Sequence, residues 1–287
     1  MKFRTEIVLP ASALQITHQD KILMTGSCFV ENLSAKLLGA GFTIHLNPFG
    51  IVYNPSSLAN GLQDLIHNKV YTADDLFLYQ DVYHSFAHHS RFSGREINAV
   101  LQKINDRIAS ASDFLHQANV LVITFGTANT YRLVSTGEVV SNCHKLPAKA
   151  FVEERLTVEQ ITAQWNDLLT DLQKINPHLN IIFTVSPIRH WKEGANGNQL
   201  NKAILLLAVN ELLTANPQCY YFPSYEIMLD DLRDYRFYAD DLIHPNSQAV
   251  EYIWEKFSVV YFEAKTKALI RTHEKEQKAL HHQTFIK

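Results

Sequence analysis

Short apolar runs alternate along this chain with longer stretches in which apolar residues recur at helical spacing. The apolar, β-branched runs lie at residues 22–25, 42–46, 120–125, 180–185 and 219–222. Several of them are apolar throughout and do not alternate, which is typical of parallel strands covered on both faces. We therefore expect parallel strands at the centre of the fold.

Helical spacing predicts helices between and after these strands. Thr157, followed by Gln160, has the sequence of a capping box, and an apolar stripe continues from there to Leu172. The dipeptide Asn196-Gly197 predicts a turn before the next helix. Alternation of strands and helices predicts a right-handed α/β sandwich. The other predicted helices cover residues 30–38, 56–66, 95–115, 200–213 and 248–261.

Two segments are too long to be simple connections. Residues 51–119 place two predicted helices around a middle rich in aromatic residues and histidine, and residues 130–154 contain a hairpin that turns at Thr136-Gly137. Segments of this length usually form lids or binding walls. Because there is no linker or internal repeat, we expect one domain over residues 1–263 and a charged, helical tail over residues 264–287.

Composition is typical of a soluble globular protein. The 287 residues are 46% hydrophobic with only 10 glycines and 9 prolines, which excludes a disordered or low-complexity chain. The net charge of −3 arises from both signs scattered along the chain, so no basic field predicts a nucleic-acid or membrane partner. The first residues are charged and no apolar run approaches the ~20 residues of a membrane span. We expect a cytoplasmic protein.

The residues that follow each predicted strand carry the candidate chemistry. Carboxyl ends of parallel strands meet at one edge of a sheet, where ligands bind. Gly26-Ser27-Cys28 ends the first strand and begins a helix, as a nucleophile on a tight elbow does. Asp241 precedes His244 by three residues, so its carboxylate is placed to accept a hydrogen bond from the imidazole and fix its tautomer. These motifs predict a nucleophile–histidine–aspartate triad.

Each of these residues also has a purely structural interpretation. Cys28 is then a small buried residue, Ser27 a helix cap, and Asp241 and His244 surface residues. The three cysteines lie far apart and cannot all pair, which predicts free thiols in a reducing compartment. In favour of the functional interpretation, a helix N-terminus lowers the pKa of a thiol placed there.

Two further residues are predicted to hold an oxyanion. Asn129 follows the third strand in Gly126-Thr127-Ala128-Asn129, and Gly50 follows the second strand. An asparagine side chain and backbone N–H groups are suitable donors, each contributing about 3 kcal/mol to the transition state. Taken alone, Asn129 is more typical of a turn, so this prediction depends on the three loops meeting at one place.

Three motifs together resemble those of the GSCFA family. They are Gly26-Ser27-Cys28-Phe29, the stretch Asn47-Pro48-Phe49-Gly50 followed by Asn54-Pro55, and the closing Asp241-x-x-His244-Pro245. The resemblance covers residues 22–262 and extends to the related SGNH/GDSL hydrolases. It implies a flavodoxin-like three-layer α/β/α sandwich with strand order 2-1-3-4-5. It also implies hydrolysis or transfer of acyl esters, often acetyl groups on carbohydrates, at the nucleophile, Gly50, Asn129, Asp241 and His244.

The elbow differs from that of the SGNH hydrolases in one respect. Their Gly-Asp-Ser is Gly26-Ser27-Cys28 here, so strict register places Cys28 at the nucleophile and Ser27 at the usual aspartate. A shift by one residue restores Ser27 as a serine nucleophile. Both alternatives are chemically competent, because a thiolate activated by His244 also attacks acyl carbons. The geometry of the elbow favours Cys28.

Several polar residues elsewhere are candidates for contact with a substrate. His84, His88 and His89 belong to an aromatic cluster that predicts a substrate wall or a structural cluster. His84 and His88, four residues apart on one helical face, are an alternative zinc site, although no companion ligand has an obvious spacing. We predict neither a metal nor a cofactor. The substrate-binding candidates are His84, His144, Arg189 and His190.

The leading hypothesis is an acyl-ester hydrolase or O-acyltransferase that acts on a carbohydrate or other small hydroxylated substrate. The first alternative is a non-catalytic glycan-binding or scaffold protein on the same fold, because Ser27 replaces the aspartate of the usual elbow. The second is a metal-dependent hydrolase that uses the cluster around His84. The oligomeric state is not indicated by the sequence.

Overall fold

The computed structural model describes the backbone of residues 4–284 and the side chains of residues 4–273 and 275. Sequence expectations for residues 1–3 and 285–287 lie outside the described residues. The strands are β1 (Lys21–Gly26), β2 (Thr43–Leu46), β3 (Phe77–Tyr79), β4 (Val82–His84), β5 (Val120–Phe125), β6 (Asn129–Leu133), β7 (Val139–Val140), β8 (Phe151–Arg155), β9 (Asn180–Val185) and β10 (Cys219–Tyr221). The helices are α1 (Cys28–Gly39), α2 (Pro55–Ile66), α3 (Ile97–Gln117), α4 (Val158–Ile175), α5 (Gly194–Ala215), α6 (Ser224–Glu226), α7 (Ser247–Tyr261) and α8 (Ala264–Thr284).

A five-stranded parallel sheet forms the centre of the molecule. Its strands lie in the order β10-β9-β5-β1-β2, and every neighbouring pair is parallel. Numbered along the chain, these strands have the order 2-1-3-4-5. The predicted fold class and strand order are therefore confirmed.

Each face of the sheet buries its own set of apolar residues. Ile22, Met24 and Val122 pack with α1 and α7 on one face. Leu23 and Ile123 pack with α2, α3, α4 and α5 on the other. Successive side chains of a strand point to opposite faces, so strands that are apolar throughout fill both cores at once. This is the physical reason for the α/β/α layering that the unbroken apolar runs predict.

Helix starts follow their capping residues. Thr157 accepts a hydrogen bond from the Gln160 backbone N–H at 3.2 Å, and the Gln160 side chain accepts one from the Thr157 N–H at 2.8 Å. The predicted capping box is thus present. The turn predicted at Asn196-Gly197 is wrong, because both residues lie inside α5. Gly194, with φ of 69°, makes the turn there instead.

The two long segments form small antiparallel sheets. β3 pairs with β4, and β6 lies between β7 and β8. Gly137, with φ of 74°, takes part in the predicted turn between β6 and β7. His84 ends β4 and His88 lies in the loop after it, so the helical face proposed for these two histidines does not exist. The spacing of four residues between these histidines spans the end of a strand and the loop after it, so it carries no helical periodicity.

The described part of the predicted tail is the helix α8. Thr266 on α8 donates a hydrogen bond to the Ile16 carbonyl at 3.4 Å, and Ile270 is buried in the core that α1 and α7 share. The first turns of α8 are therefore packed on the sandwich. Among the described residues, no helix combines the length and apolar character that crossing a bilayer requires.

Candidate active site

The turn from β1 into α1 is closed by contacts that only a glycine permits. Gly26 has φ of 142°, and a Cβ atom added there would lie 2.4 Å from the Thr124 carbonyl oxygen of β5. Its N–H donates to the Asn47 side-chain oxygen at 3.0 Å, and its carbonyl accepts from the Val52 N–H at 3.0 Å. Backbone on two sides therefore fixes the position of the two residues that follow.

Ser27 and Cys28 have different surroundings although they are adjacent. Ser27 occupies the N-cap position of α1, yet its side chain makes no capping hydrogen bond. Its Oγ is fully buried and has no hydrogen-bond partner among the residues that the structure describes. Cys28 is half-buried, and its Sγ lies 3.5 Å from the Tyr53 hydroxyl. The thiol is thus the accessible nucleophilic group of the elbow.

Tyr53 is a part of the site that the sequence analysis did not identify. Burial raises the pKa of its hydroxyl well above the ordinary value, and the neighbouring Cys28 and Glu31 raise it further. The hydroxyl therefore remains protonated and is able to donate a hydrogen bond to a Cys28 thiolate. Its only signal in the sequence is its place between Gly50 and Asn54 of the family motif.

The Asp241 carboxylate holds His244 in a defined orientation. Asp241 Oδ2 lies 2.6 Å from His244 Nδ1, and Oδ1 accepts hydrogen bonds from the backbone N–H groups of Ile243 and His244 at 2.9 and 3.0 Å. The bonds from the His244 and Ile243 N–H groups, with the bond to the imidazole, lower the pKa of Asp241 to about 2. With Nδ1–H facing the carboxylate, Nε2 carries the lone pair of a general base.

Arg189 connects the end of β9 to this histidine loop. Its Nη1 donates to the Leu242 carbonyl at 2.8 Å, and its backbone N–H donates to the Ile243 carbonyl at 3.3 Å. The guanidinium stacks 3.8 Å from the centre of the Trp191 ring. Arg189 therefore supports the loop and also lines a cavity of about 300 Å³, whose floor includes Met228 and Leu232. The sequence predicted a substrate contact for it, and the structure adds this supporting role.

His190 lies against the tyrosine beside the thiol. Its ring meets the Tyr53 ring edge-on at 5.3 Å, and its Nε2 would lie 2.9 Å from a Cβ on Gly126. This Nε2 is buried and has no hydrogen-bond partner within the described part of the chain. Burial lowers the pKa of His190 to about 3, with smaller electrostatic contributions from the nearby Lys202 and His244, so its imidazole is neutral at physiological pH. The structure thereby brings Cys28, Tyr53 and His190 together and places His244 within electrostatic reach of His190.

Both predicted oxyanion donors already have partners within the protein. The Gly50 N–H donates to the Asn47 carbonyl at 2.9 Å. The Asn129 Nδ2 donates to Glu153 at 3.2 Å, and its Oδ1 accepts from Arg155 at 3.4 Å. An oxyanion would have to replace the Asn47 carbonyl in order to use the single N–H of Gly50, whereas the Asn129 amide nitrogen has a second N–H besides the one that binds Glu153.

An ion pair closes the side of the elbow next to Gly50. Glu31 in the first turn of α1 accepts a hydrogen bond from Arg91 at 2.7 Å. A Cβ on Gly50 would lie only 2.3 Å from the His89 Cβ, and φ at this glycine is 80°. The segment that carries His89 and Arg91 therefore packs directly on the Gly50 loop and forms a wall of the site.

His84 and His144 lie together in the inserted region. Their ring centres are 4.6 Å apart; His84 Nδ1 lies 2.7 Å from Ser93 Oγ, and His144 Nε2 lies 2.8 Å from the Ser85 carbonyl. No hydrogen bond or ring contact among the described residues joins this pair to Cys28 or His244. Within the same described region, no three His, Cys, Asp or Glu side chains form a group that would hold a metal.

Comparison with known proteins gives a family and distant structural likenesses. The model of the GSCFA family matches residues 21–257. A search of curated proteins found no match. A family 3 carbohydrate esterase from Clostridium thermocellum is 14% identical, with coverage of 88% of this chain and 98% of that chain and a TM-score of 0.36. The acetyl xylan esterase Est2A from the rumen bacterium Butyrivibrio proteoclasticus is 10% identical, with coverage of 87% of this chain and 63% of that chain and a TM-score of 0.42. Likenesses this distant carry no argument about activity.

Proposed function

The chain belongs to the GSCFA family, and we propose that it is an acyl-ester hydrolase with Cys28 as nucleophile and His244 as general base. The observation that carries this proposal is the 2.6 Å contact of Asp241 Oδ2 with His244 Nδ1, which leaves Nε2 as the basic atom. It accompanies an accessible thiol at the first residue of α1. The proposed substrate is an ester of a carbohydrate or another small hydroxylated molecule, in the cytoplasm.

The reaction proceeds in two steps. His244 Nε2 takes the thiol proton as Cys28 Sγ attacks the ester carbonyl, and it returns that proton to the leaving alkoxide when the C–O bond breaks. Water then attacks the thioester and gives a proton to His244, and the proton returns to Sγ as the acid departs. With an acceptor hydroxyl in place of water, the same steps transfer the acyl group.

The oxyanion of each step needs donors beside the thiol. The first N–H groups of a helix have no partners within it, and those that begin α1 lie at Cys28 itself. Gly50 and Asn129 remain the other proposed donors, Gly50 after release of the Asn47 carbonyl and Asn129 through the second N–H of its amide. Tyr53 adds a hydroxyl at 3.5 Å from Sγ.

The experiment is mass spectrometry of the intact protein after exposure to p-nitrophenyl acetate. We expect one added acetyl group, which peptide digestion places on Cys28, and its absence in Cys28→Ala. In His244→Ala the rate of acylation falls sharply. His178→Ala, a change at an exposed histidine, is the matched control and keeps the wild-type rate. Wild-type acylation in His244→Ala contradicts the triad.

One observation favours a second function, glycan binding without catalysis. The two predicted oxyanion donors are engaged with Asn47 and Glu153. If the protein is a binding module, it retains affinity for glycans in Cys28→Ala and His244→Ala and forms no acyl adduct with any donor. Loss of turnover in both variants, together with an adduct in the wild type, excludes this alternative.

A further inference from the structure

A buried lysine lies beneath the candidate site. Lys202 on α5 is only 1% exposed. Its Nζ donates to the Gly126 carbonyl at 2.7 Å and to the Ser186 carbonyl at 2.8 Å, and it lies 5.5 Å from the centre of the Tyr225 ring. Among the described residues no carboxylate pairs with it. A buried cation without a counter-ion is costly, because it loses hydration that two neutral carbonyls replace only in part.

The two carbonyls that Lys202 binds lie directly after the ends of two adjacent strands. Gly126 follows the last residue of β5 and Ser186 follows the last residue of β9. These positions are at the carboxyl edge of the sheet, where the chain turns away and backbone acceptors lose their ladder partners. Lys202 therefore ties together the two loops that leave the centre of the sheet.

One of these loops leads to the nucleophile. The Gly126 N–H donates to the Tyr53 carbonyl at 2.7 Å, and the Tyr53 hydroxyl contacts Cys28 Sγ at 3.5 Å. Lys202 is thus connected to the thiol through Gly126 and Tyr53 alone.

The other loop leads to the histidine. Three residues after Ser186, Arg189 binds the Leu242 carbonyl at 2.8 Å, within the turn that presents His244. Lys202 therefore joins the cysteine half and the histidine half of the site from below, in addition to the ring contact between Tyr53 and His190.

We propose that Lys202 is a positioning residue that fixes the Cys28–Tyr53 half of the site relative to the Asp241–His244 half. This inference rests on the proposed function. The titratable groups that face the ammonium are His190 from the β9–α5 loop and Tyr225 from α6. Burial lowers the pKa of Lys202 to about 7, and its amine keeps two N–H donors for the two carbonyls in either charge state. Lys202 does not touch the substrate.

The test compares Lys202→Met with Lys256→Met, a control at a lysine that binds Glu6 and the Ile7 carbonyl. Two rates are measured on folded protein: ester turnover, and alkylation of Cys28 by iodoacetamide. In Lys202→Met we expect kcat to fall about tenfold with KM unchanged within about twofold. We expect Cys28 alkylation to slow about fivefold as the Tyr53 donor moves from the thiol. The control keeps both rates.

The alkylation rate separates failure of this inference from failure of the proposed function. If the wild type hydrolyses no ester but Lys202→Met slows alkylation, the proposed function fails and the positioning role stands. If Lys202→Met lowers only the unfolding temperature and keeps both rates, Lys202 is merely structural and the inference is overturned. Should Lys202→Met fail to fold, Lys202→Gln, which retains one donor group, is judged by the same two rates.

Discussion

Ser27 is buried and Cys28 is half-buried although the two residues are adjacent, and the backbone conformation of the elbow determines this difference. Because Gly26 is held against Thr124 on one side and Val52 on the other, the chain has no freedom to rotate Ser27 outward. Burial of the serine leaves the Cys28 thiol as the more accessible of the two groups and therefore as the proposed nucleophile. The sequence leaves open whether Ser27 or Cys28 occupies the position of the nucleophile. In the structure Cys28 is the first residue of α1 and Ser27 is its N-cap.

Replacement of each elbow residue by alanine gives the first prediction. We expect Cys28→Ala to reduce turnover at least about 10³-fold, because the nucleophile is lost. Ser27→Ala removes a buried hydroxyl without a partner and keeps turnover within about threefold, since no hydrogen bond is broken. Steady-state hydrolysis of p-nitrophenyl acetate measures both. Retained turnover in Cys28→Ala with loss in Ser27→Ala reverses the assignment.

Tyr53→Phe isolates the hydroxyl beside the thiol. The ring remains and still meets His190, so the change removes one donor and little packing. We expect kcat to fall about tenfold because the thiolate loses a hydrogen bond, with KM unchanged. Tyr131→Phe, at a tyrosine bonded to Lys192, serves as the control and keeps kcat. An unchanged kcat in Tyr53→Phe removes Tyr53 from the mechanism.

At the scale of elements, the sequence predicted regular structure better than it predicted the loops. The apolar runs and the Thr157 capping box are local signals, and each appears at the predicted place. Asn196-Gly197 is equally local, yet it lies within α5 since Gly194 turns the chain earlier. The separation of four residues between His84 and His88 predicts a shared helical face. That separation alone does not distinguish a helix from the strand β4 followed by a loop.

The supporting residues of the site were not predictable in the same way. Tyr53 and Lys202 contact residues that are far away in the sequence, so no short motif identifies either of them. Lys202 binds carbonyls 76 and 16 residues away, and its role arises only when α5 packs on the ends of β5 and β9. The contact between Asp241 and His244 lies within one turn of the chain, so the spacing of the motif predicts it.

Arg189→Lys tests the connection between β9 and the histidine loop. Lysine keeps the charge but loses the planar stack on Trp191 and the geometry of the bond to Leu242. We expect kcat to fall about tenfold as His244 loses its fixed position, while the unfolding temperature stays nearly constant. Arg233→Lys, at an exposed arginine on the rim of the same cavity, is the control. Equal kcat values for both variants contradict the supporting role.

Across the whole molecule, buried histidines set the response to acid. Burial lowers the pKa of each from 6.5 to about 3 or 4 and neighbouring basic side chains lower it further, so the folded protein keeps these histidines neutral where the unfolded chain protonates them. Unfolding then takes up protons below pH 6.5, and the free energy of unfolding decreases as pH falls toward 4. The four are His45, His88, His144 and His190.

The corresponding measurement is urea unfolding between about pH 7 and pH 5, where few carboxylates titrate. Each fully neutral histidine contributes up to about 1.4 kcal/mol per pH unit to the slope within this window. His45→Phe, at a buried imidazole with no hydrogen-bond partner among the described residues, reduces the slope. A free energy of unfolding that is constant over this range contradicts the prediction.

The close approach of Gly26 to Thr124 holds the backbone next to the Cys28 thiol against the central sheet. A Cβ on Gly26 would lie 2.4 Å from the Thr124 carbonyl oxygen, so the backbone that carries the thiol moves only together with the sheet. On heating, we therefore expect the reactivity of the thiol to be lost at the same temperature at which the protein unfolds, and not at a lower one.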